Sequence, residues 1–428
     1  MKVFYDLLSF IVSICIFPFE FLKRDPAVRH RWARQKWGIG SHGPHDIWIH
    51  AVSVGEVLAA SSLVNEVNHR RPDIKIALST VTDTGQIVAK NNMQDTTVFY
   101  LPWDIRHVAY RVMDDIKPRL IVIMETELWP ALIWSADYRN IPLVILNGRI
   151  SDASYSGYRK IRWFMKRLLS KVSFIGMQGQ TDLERIRNIG APEKISAVTG
   201  NLKYDVEPPA SSTLSNEPST NLFWLNILKR PVWIAGSTHE GEEEKILDAY
   251  RQIISRGTNL TLILAPRHPE RFQAVEKLIK QAGFSCLRRT DINAGSSNTG
   301  SLPASKVLLL DAMGELATAY SAADVVFMGG SLSPAGGHNI LEPALWKKPI
   351  LFGPHMENFR QMAELFIQED ACIQVATPED LTSAVTTLLA DPEKAAAMAG
   401  RAHNILRRNR GASIRCSDII ESYIENRH

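Results

Sequence analysis

The sequence has few cysteines, little excess charge and no long hydrophobic run, and each absence narrows the possible functions. The cysteines form no CxxC pair and no Cys/His metal spacing, which fits a reducing compartment. There are four of them: Cys15, Cys286, Cys372 and Cys416. The chain also has no Asp-x-Asp pair to hold a divalent ion, and we predict no metal site.

Length and composition indicate a soluble enzyme of two domains. A chain of 428 residues is too long for one hydrophobic core. Its 45% apolar and 22% charged residues argue against a polytopic membrane protein. The net charge of +4 equals the excess of seven basic over three acidic residues within positions 1–40. Because this excess is confined to the N-terminus, we predict no nucleic-acid binding.

The N-terminal segment is apolar over residues 3–21 and is followed by cations and aromatic residues. Its uncharged run, residues 7–19, is shorter than the roughly 20 residues that a spanning helix needs. No small-residue cleavage site follows it. We therefore predict an uncleaved anchor, residues 1–24, that lies in or just through a membrane with its basic flank on the cytoplasmic side. The alternative is an apolar helix docked on the domain core.

A second basic amphipathic stretch covers residues 158–172. Five apolar residues recur there at helical spacing, six Lys or Arg residues flank them, and no acid intervenes. Such a helix could rest on anionic lipid or bind an anionic substrate. It could equally be a solvated face over a stripe of core residues.

The first half alternates short apolar strands with helical segments, which predicts a parallel sheet with helices on both faces. Ligands bind such sheets at the carboxyl ends of the strands. A strand at 47–49 leads into residues 53–55, which we expect to form a glycine turn that directs Glu56 from the start of a helix. Glu56 is the predicted general base, although the helix macrodipole alone also favours an acid there.

Other polar residues follow other predicted strands. Glu125 and Glu127 follow the strand at 120–124, and carboxylates facing Glu56 would shift one another's pKa values. Glu127 ranks below Glu125 because it could be a helix N-terminal acid before Pro130. Lys203 precedes a linker rich in Pro, Ser and Asn, where it could reach into an interdomain cleft or remain a solvated surface lysine.

The second half repeats the strand-helix alternation. The strand at 232–235 opens into small residues at 236–241, where we expect a helix N-terminus to form an anion site. That segment has neither P-loop nor dinucleotide-fingerprint spacing. Arg267 follows the strand at 260–264 and is suited to bidentate contact with phosphate or a carboxylate.

Residues 329–343 are the most informative of this half. Glycine and proline residues precede Asn339, so the backbone could approach a ligand closely before a helix begins. We expect Asn339 and Glu342 on one face of that helix's first turn, with Glu342 placed to accept both hydroxyls of a ribose. The alternative is an Asn cap with a macrodipole acid.

Six segments together resemble the 3-deoxy-D-manno-octulosonic acid (Kdo) transferases of Gram-negative lipopolysaccharide synthesis. They occur in the family's order across nearly the whole chain, at 50–56, 125–130, 201–205, 266–269, 313–316 and 336–343. The resemblance implies the GT-B fold, an α/β architecture of two Rossmann-like domains facing across a cleft, with an N-terminal membrane-anchoring helix. It also implies inverting transfer of Kdo from CMP-Kdo to a lipid A precursor, lipid IVA.

The resemblance assigns roles to individual residues. Glu56 matches the family's proton acceptor, and Glu125 and Lys203 match positions that stabilise the transition state. The positions that match CMP-binding segments are Pro266, Arg267, Met313, Gly314, Glu315, Asn339, Ile340, Leu341 and Glu342. One departure follows Arg149, where the loop carries Asp152 and lacks a further basic residue that relatives are expected to have.

The predicted domain order follows from these assignments. It is an anchor at 1–24, an acceptor-binding domain at 25–206, a linker at 207–222, a CMP-sugar-binding domain at 223–405, and a C-terminal helix at 406–428 that packs back toward the first domain. We expect a metal-independent enzyme without a cofactor at the cytoplasmic face of the inner membrane. Its predicted partners are CMP-Kdo, the lipid A precursor and the anionic membrane surface. Competing interpretations are a GT-B enzyme that uses a UDP-sugar and a two-domain binding protein without chemistry.

Overall fold

The computed structural model describes residues 2–93, 95–206, 224–225, 228–292 and 306–425. The chain divides into two compact units, Met1–Asp205 with Asn409–His428, and Val206–Arg408. The linker predicted at 207–222 lies outside the described residues.

Helices and strands alternate along both units, as the short apolar runs predict. The strands are β1 (Ile47–His50), β2 (Ile76–Thr80), β3 (Thr97–Tyr100), β4 (Leu120–Met124), β5 (Leu143–Gly148), β6 (Phe174–Met177), β7 (Ser196–Val198), β8 (Val232–Thr238), β9 (Thr261–Pro266), β10 (Ser285–Arg288), β11 (Lys306–Leu309), β12 (Val325–Met328), β13 (Ile350–Phe352) and β14 (Ile373–Gln374). The helices are α1 (Lys2–Lys23), α2 (Pro26–Lys36), α3 (Val54–Arg70), α4 (Asp83–Asn92), α5 (Arg106–Ile116), α6 (Pro130–Tyr138), α7 (Asp152–Lys160), α8 (Arg162–Leu169), α9 (Gln180–Asn188), α10 (Glu242–Ser255), α11 (Phe272–Gln281), α12 (Leu316–Ala319), α13 (Leu341–Leu345), α14 (Arg360–Gln368), α15 (Pro378–Ala390), α16 (Pro392–Asn409) and α17 (Ala412–Glu425).

Each unit is built on one parallel sheet. Within the described residues, the first sheet has the order β3-β2-β1-β4-β5-β6-β7 and the second the order β10-β11-β9-β8-β12-β13-β14. All the strand pairs are parallel. The predicted α/β architecture of two parallel-sheet domains is therefore confirmed. The strands that the sequence did not predict, β7, β10, β13 and β14, are short, and three of them carry polar residues.

Both faces of the first sheet are covered by apolar side chains. Trp48 of β1 lies in one buried cluster, whereas its neighbours Ile47 and Ile49 lie in another. Successive side chains of a strand point to opposite faces of the sheet, so a strand buried on both faces reads as a continuous apolar run. The second unit has its own buried cluster, which includes Trp233 and Phe327.

The C-terminal helix α17 belongs to the first unit. Its residues Cys416 and Ile420 lie in the same buried cluster as Ile47 and Ile49. Asp205 accepts hydrogen bonds from the backbone N–H groups of Gly411 at 2.6 Å and Ser413 at 2.5 Å. These bonds satisfy N–H groups at the start of α17 that have no partner within the helix.

The strand order of each sheet reverses at one point. The reversal lies between β1 and β4 in the first sheet and between β8 and β12 in the second. Three non-glycine residues take left-handed φ angles at strand ends, Glu125 at 55°, Asn147 at 58° and Ser237 at 55°. The strand registers shift beside Asn147 and Ser237. Bulges and strained backbone conformations of this kind are common at functional sites, and ligands of such sheets bind at the switch point. These strand ends are therefore where we look for the functional site.

Helix α1 combines a docked side with an exposed apolar side. Tyr5 contacts Trp134 edge-on, with ring centroids 5.4 Å apart, and Phe17 stacks on Trp32 at 5.6 Å. Much of the rest of the helix is exposed, including Phe4 at 71% and Phe19 at 69%. Among the described residues it is the one helix long and apolar enough to cross a membrane.

The single helix predicted at 158–172 is wrong. The chain forms two helices, α7 and α8, that are separated at Ile161. Ile161 has φ −113° and ψ 30°, outside the helical region, and its side chain is exposed. The break turns Ile161 outward, while Met165 and Leu168 remain buried.

Candidate active site

Glu56 lies in the first turn of α3, at the carboxyl end of β1. The predicted glycine turn at 53–55 is wrong, because Gly55 is helical and Ser53 is the N-cap of the helix. Ser53 and Glu56 form a capping box: the Glu56 N–H donates to Ser53 Oγ at 3.4 Å, and the Ser53 N–H donates to the Glu56 carboxylate at 3.3 Å. The Val52 N–H donates to the same carboxylate at 2.8 Å. These bonds fix the direction of the carboxylate.

The electrostatic setting of Glu56 differs from that of an ordinary helix-capping acid. Its side chain is buried, and this burial raises the pKa of Glu56 to about 7. The hydrogen bond from Val52 lowers the pKa, while the nearby charges of Glu125 and Glu127 raise it. A carboxylate that titrates near neutral pH is matched to proton transfer. The macrodipole explains why an acid occupies this position but does not explain its pKa.

Glu125 lies at the carboxyl end of β4, next to β1 in the sheet. Burial raises the pKa of Glu125, against the positive charges of Lys203 and Arg149, which lower it. Burial and then the charge of Glu125 raise the pKa of Glu127. The structure thus brings Glu56, Glu125 and Lys203 into one electrostatically coupled group.

The Lys203 backbone is held by a network of amide side chains. Asn201 Oδ1 accepts from the Lys203 N–H at 3.0 Å, and Asn201 Nδ2 donates to Gln178 at 3.0 Å. Asn147 Oδ1 accepts from the Leu202 N–H at 3.0 Å. The strained Asn147 at the end of β5 therefore helps to position the lysine.

His50 is a residue to which the sequence assigned no role. It is fully buried at the end of β1, with Nδ1 3.0 Å from Ser79 Oγ. Burial lowers the pKa of His50 to about 3, so the ring is neutral at physiological pH. Its Nε2 has no hydrogen-bond partner in the described structure, and its ring lies 5.7 Å from that of Trp129. A buried polar atom without a partner marks a place where a further group could bind.

The anion site predicted at the helix after β8 stays a prediction, and a carboxylate of the chain itself already binds one of its backbone N–H groups. Helix α10 begins with three glutamates. Glu242, fully buried, accepts hydrogen bonds from four backbone N–H groups, those of His239 at 2.8 Å, Gly330 at 2.7 Å, Ser331 at 2.9 Å and Leu332 at 2.7 Å. Glu242 therefore ties the loop after β12 to the end of β8 across the switch point.

Three histidines and an arginine meet beside this loop. His239 and His338 stack with ring centroids 5.1 Å apart, and their Nε2 atoms are 2.8 Å apart. His268 meets His239 edge-on at 5.3 Å. Burial, followed by the charge of Arg267, lowers the pKa of His338 to about 4. The neutral imidazole of His338 and the exposed guanidinium of Arg267 give this surface polar groups and a positive charge. No group of three or more potential ligands among the described residues has the geometry to hold a metal ion.

Asn339 and Glu342 interact, but not as first-turn neighbours of one helix. That prediction is wrong because α13 begins at Leu341, which places Asn339 before it. Asn339 Oδ1 accepts from the Leu341 N–H at 3.1 Å, and Asn339 Nδ2 donates to Glu342 at 3.4 Å. Burial raises the pKa of Glu342 to about 7, whereas Asn339 and Arg267 lower it.

The remaining predicted positions differ in accessibility. Pro266, Ile340 and Leu341 are buried, so their side chains offer little surface to a ligand. Met313 is 64% exposed and precedes Gly314, whose φ is 83°. Glu315 is engaged within the unit, since its carboxylate accepts from Arg289 at 2.8 Å and from Trp224 Nε1 at 2.9 Å.

Two comparisons of the sequence with known proteins point to the same family. Residues 27–206 match the family model described as 3-Deoxy-D-manno-octulosonic-acid transferase (kdotransferase). The chain is 37% identical, over 94% of its length and 93% of the relative's, to the 3-deoxy-D-manno-octulosonic acid transferase of Haemophilus influenzae.

Solved structures support the fold. MurG of Acinetobacter baumannii matches with a TM-score of 0.53 at 14% identity, over 89% of this chain and 99% of that one. The UDP-GlcNAc 2-epimerase of Neisseria meningitidis matches with a TM-score of 0.57 at 12% identity, over 89% of this chain and 100% of that one. These matches confirm the predicted GT-B fold. The family-model match and the 37% identity to the Haemophilus influenzae relative establish that the chain belongs to the 3-deoxy-D-manno-octulosonic acid transferase family, glycosyltransferases of lipopolysaccharide synthesis.

Proposed function

We propose that the protein transfers Kdo from CMP-Kdo to a lipid A precursor, lipid IVA, with inversion at the anomeric carbon. The observation that carries this proposal is the coupled group of Glu56, Glu125 and Lys203 at the switch point of the first sheet, in which the pKa of Glu56 is raised to about 7. We assign the acceptor to this unit and the donor to the second.

Glu56 acts as the general base. An acceptor hydroxyl is a poor nucleophile, and Glu56 takes its proton as the oxygen attacks the anomeric carbon of Kdo. The bond from that carbon to the phosphate oxygen breaks, and CMP departs with the bonding electrons. A positioned base contributes about 10²- to 10⁴-fold to such a step. Glu56 is suited to this role because its carboxylate is fixed by Val52 and Ser53 and titrates near neutral pH.

Glu125 and Lys203 stabilise charge around the reacting carbon. Glu125 is a half-buried carboxylate next to a cation, so it offers negative charge to a carbon that becomes electron-poor in the transition state. Lys203 offers positive charge to the carboxylate or the phosphate of the donor. Their opposite charges are balanced before substrate arrives, which limits the cost of burying them.

The second unit binds the cytidine nucleotide. Arg267 and the neutral His338 beside it are suited to the phosphate, and Glu342 with Asn339 is suited to the ribose hydroxyls. Pro266, Ile340 and Leu341 support this surface, and Met313, Gly314 and Glu315 border the nucleotide. A monophosphate leaving group carries less charge than a diphosphate, and we propose that side chains neutralise it without a metal ion or other cofactor.

The enzyme works at the cytoplasmic face of the inner membrane. Helix α1 carries an exposed apolar side together with aromatic residues and cations at its end, which suits an anchor in the membrane. We propose that the anchor keeps the active site near an acceptor whose acyl chains remain in the bilayer.

A transfer assay tests the proposal. The purified protein is incubated with CMP-Kdo and tetraacylated lipid A precursor, and release of CMP is followed with and without acceptor. We expect acceptor-dependent release that persists in EDTA, and thermal protection by CMP that exceeds protection by UDP. Greater protection by UDP would favour a UDP-sugar enzyme, and CMP binding without acceptor-dependent release would favour a binding protein.

A further inference from the structure

The helices α7 and α8 present an unusual surface on the first unit. We name the exposed residues among 159–167 the α7–α8 surface. Ile161, at the break between the helices, is 42% exposed, and Trp163 on the first turn of α8 is 60% exposed. A large aromatic ring with an indole N–H at an apolar surface is typical of side chains at a membrane-water interface.

Cations surround these two apolar side chains without acidic partners. Arg159, Lys160, Arg162, Lys166 and Arg167 are all exposed, and none of them forms an ion pair with a described residue. The one acid in these two helices, Asp152, is paired with Arg185 at 2.5 Å. The α7–α8 surface therefore carries positive charge that no nearby side chain of the described residues neutralises.

The position of this surface relates it to the anchor. Trp134 of α6 contacts Tyr5 of α1 at 5.4 Å on one side and Phe164 of α8 at 6.0 Å on the other. Phe164 in turn meets Trp163 at 6.0 Å. A chain of ring contacts through Trp134 of α6 thus links the start of α1 to the α7–α8 surface.

The same surface borders the carboxylates of the active site. Tyr158 of α7 packs against the core, and its pKa is raised by burial and by the charge of Glu127. Because Glu127 is coupled to Glu125, one end of α7 lies next to the proposed acceptor site.

We propose that the α7–α8 surface is a second membrane contact, with Ile161 and Trp163 in the interface of an anionic bilayer and the five cations against its headgroups. Together with α1 it gives the first unit two contacts on one membrane, which fixes the orientation of the unit. The role of that orientation, presenting the acceptor site to lipid, rests on the proposed function. The lipid contact itself does not.

A proximity measurement on the full chain tests this contact. The accessible cysteines are removed with Cys15→Ser and Cys286→Ser, and a fluorophore is attached after Trp163→Cys or, as the control, Ile414→Cys on α17, which is also exposed. Each protein is bound to vesicles of phosphatidylglycerol and phosphatidylethanolamine that contain nitroxide-labelled lipid. We expect strong quenching at position 163 and little at 414. Equal quenching at the two positions overturns the proposal.

Charge reversal tests the contribution of the cations. The protein labelled at position 163 is given the double substitution Lys166→Glu and Arg167→Glu. Its control is the double substitution Lys277→Glu and Lys280→Glu, at two exposed lysines of α11 in the second unit. Each cation lost near an anionic leaflet weakens binding about fivefold, so quenching falls in the first pair and not in the second. Unchanged quenching in the first pair refutes the electrostatic contact, provided that both pairs melt at the parent temperature in detergent.

These measurements need no Kdo reagent, so they separate the two proposals. If transfer fails while position 163 is quenched, the membrane contact stands and the proposed function falls. If transfer succeeds with detergent-dispersed acceptor while position 163 is not quenched, the proposed function stands and the membrane contact falls.

Discussion

Replacing Glu56 by Gln tests the raised pKa of Glu56 in two independent ways, through the pH dependence of protein stability and through turnover. Burial raises the pKa of Glu56 from 4.5 to about 7 in the folded protein. The folded state therefore holds a proton that the unfolded state releases between those two pH values, and the chain loses stability as pH rises through that interval. At 1.36 kcal/mol per pKa unit, the loss is about 3 kcal/mol by pH 8.

The Glu56→Gln variant has no such proton and escapes this loss. The amide of Gln keeps one acceptor oxygen in place of two, so it can accept from Val52 or from Ser53 but not from both. This loss lowers the free energy of unfolding by about 1 kcal/mol. The stability of the variant relative to the wild type should therefore increase by about 3 kcal/mol between pH 4.5 and pH 8, while turnover falls by about 10²- to 10⁴-fold.

Thermal unfolding of both proteins at a series of pH values measures this difference. Titrating groups that are not coupled to Glu56 contribute equally to both curves and cancel when the curves are subtracted, and binding of CMP to the variant provides a check that the second unit is intact. A stability difference that stays constant from pH 4.5 to pH 8 would show that Glu56 titrates normally and would refute our explanation of the base.

Three further predictions concern the carboxylates around Glu56 and the buried Glu242 of the second unit. The wild-type kcat/KM should fall as pH drops below about 7, because protonated Glu56 cannot accept a proton. Glu125→Gln should move this acidic limb to lower pH, since the charge of Glu125 raises the pKa of Glu56, and Glu127→Gln should move it less; identical profiles in all three proteins would contradict the coupling. Glu242→Gln should raise the KM for CMP-Kdo and lower the melting temperature, because at least one buried N–H group loses its acceptor at a cost of about 1–3 kcal/mol. The exposed Glu244→Gln is its control, and equal KM values in the two variants would show that Glu242 does not position the loop.

Much of the fold and the placement of Glu125 could be predicted from apolar strand patterns. Strands buried on both faces, such as 120–124, are continuous apolar runs, and parallel topology brings their carboxyl ends to one edge of the sheet. The edge strand β14 has two residues and too little apolar sequence to be recognised.

The errors arise where local chemistry decides between similar patterns. The segment 53–55 contains a glycine and suggests a turn, but the capping box of Ser53 and Glu56 extends the helix through Gly55. Helical spacing at 158–172 hides a break, because apolar residues can keep their period while Ile161 turns outward. Glu242 resembles an ordinary helix-start acid in the sequence, and its role depends on N–H groups of residues 330–332, which only the folded sheet brings near.

The central claim is that Glu56 removes the acceptor's proton during Kdo transfer. Mass spectrometry of the lipid formed from CMP-Kdo and tetraacylated lipid A precursor at pH 8 tests it most directly, with wild type and Glu56→Gln compared at equal folded concentration. We predict a Kdo-bearing lipid from the wild type, formed at least about 100-fold more slowly by the variant. Equal initial rates in the two proteins would contradict the claim.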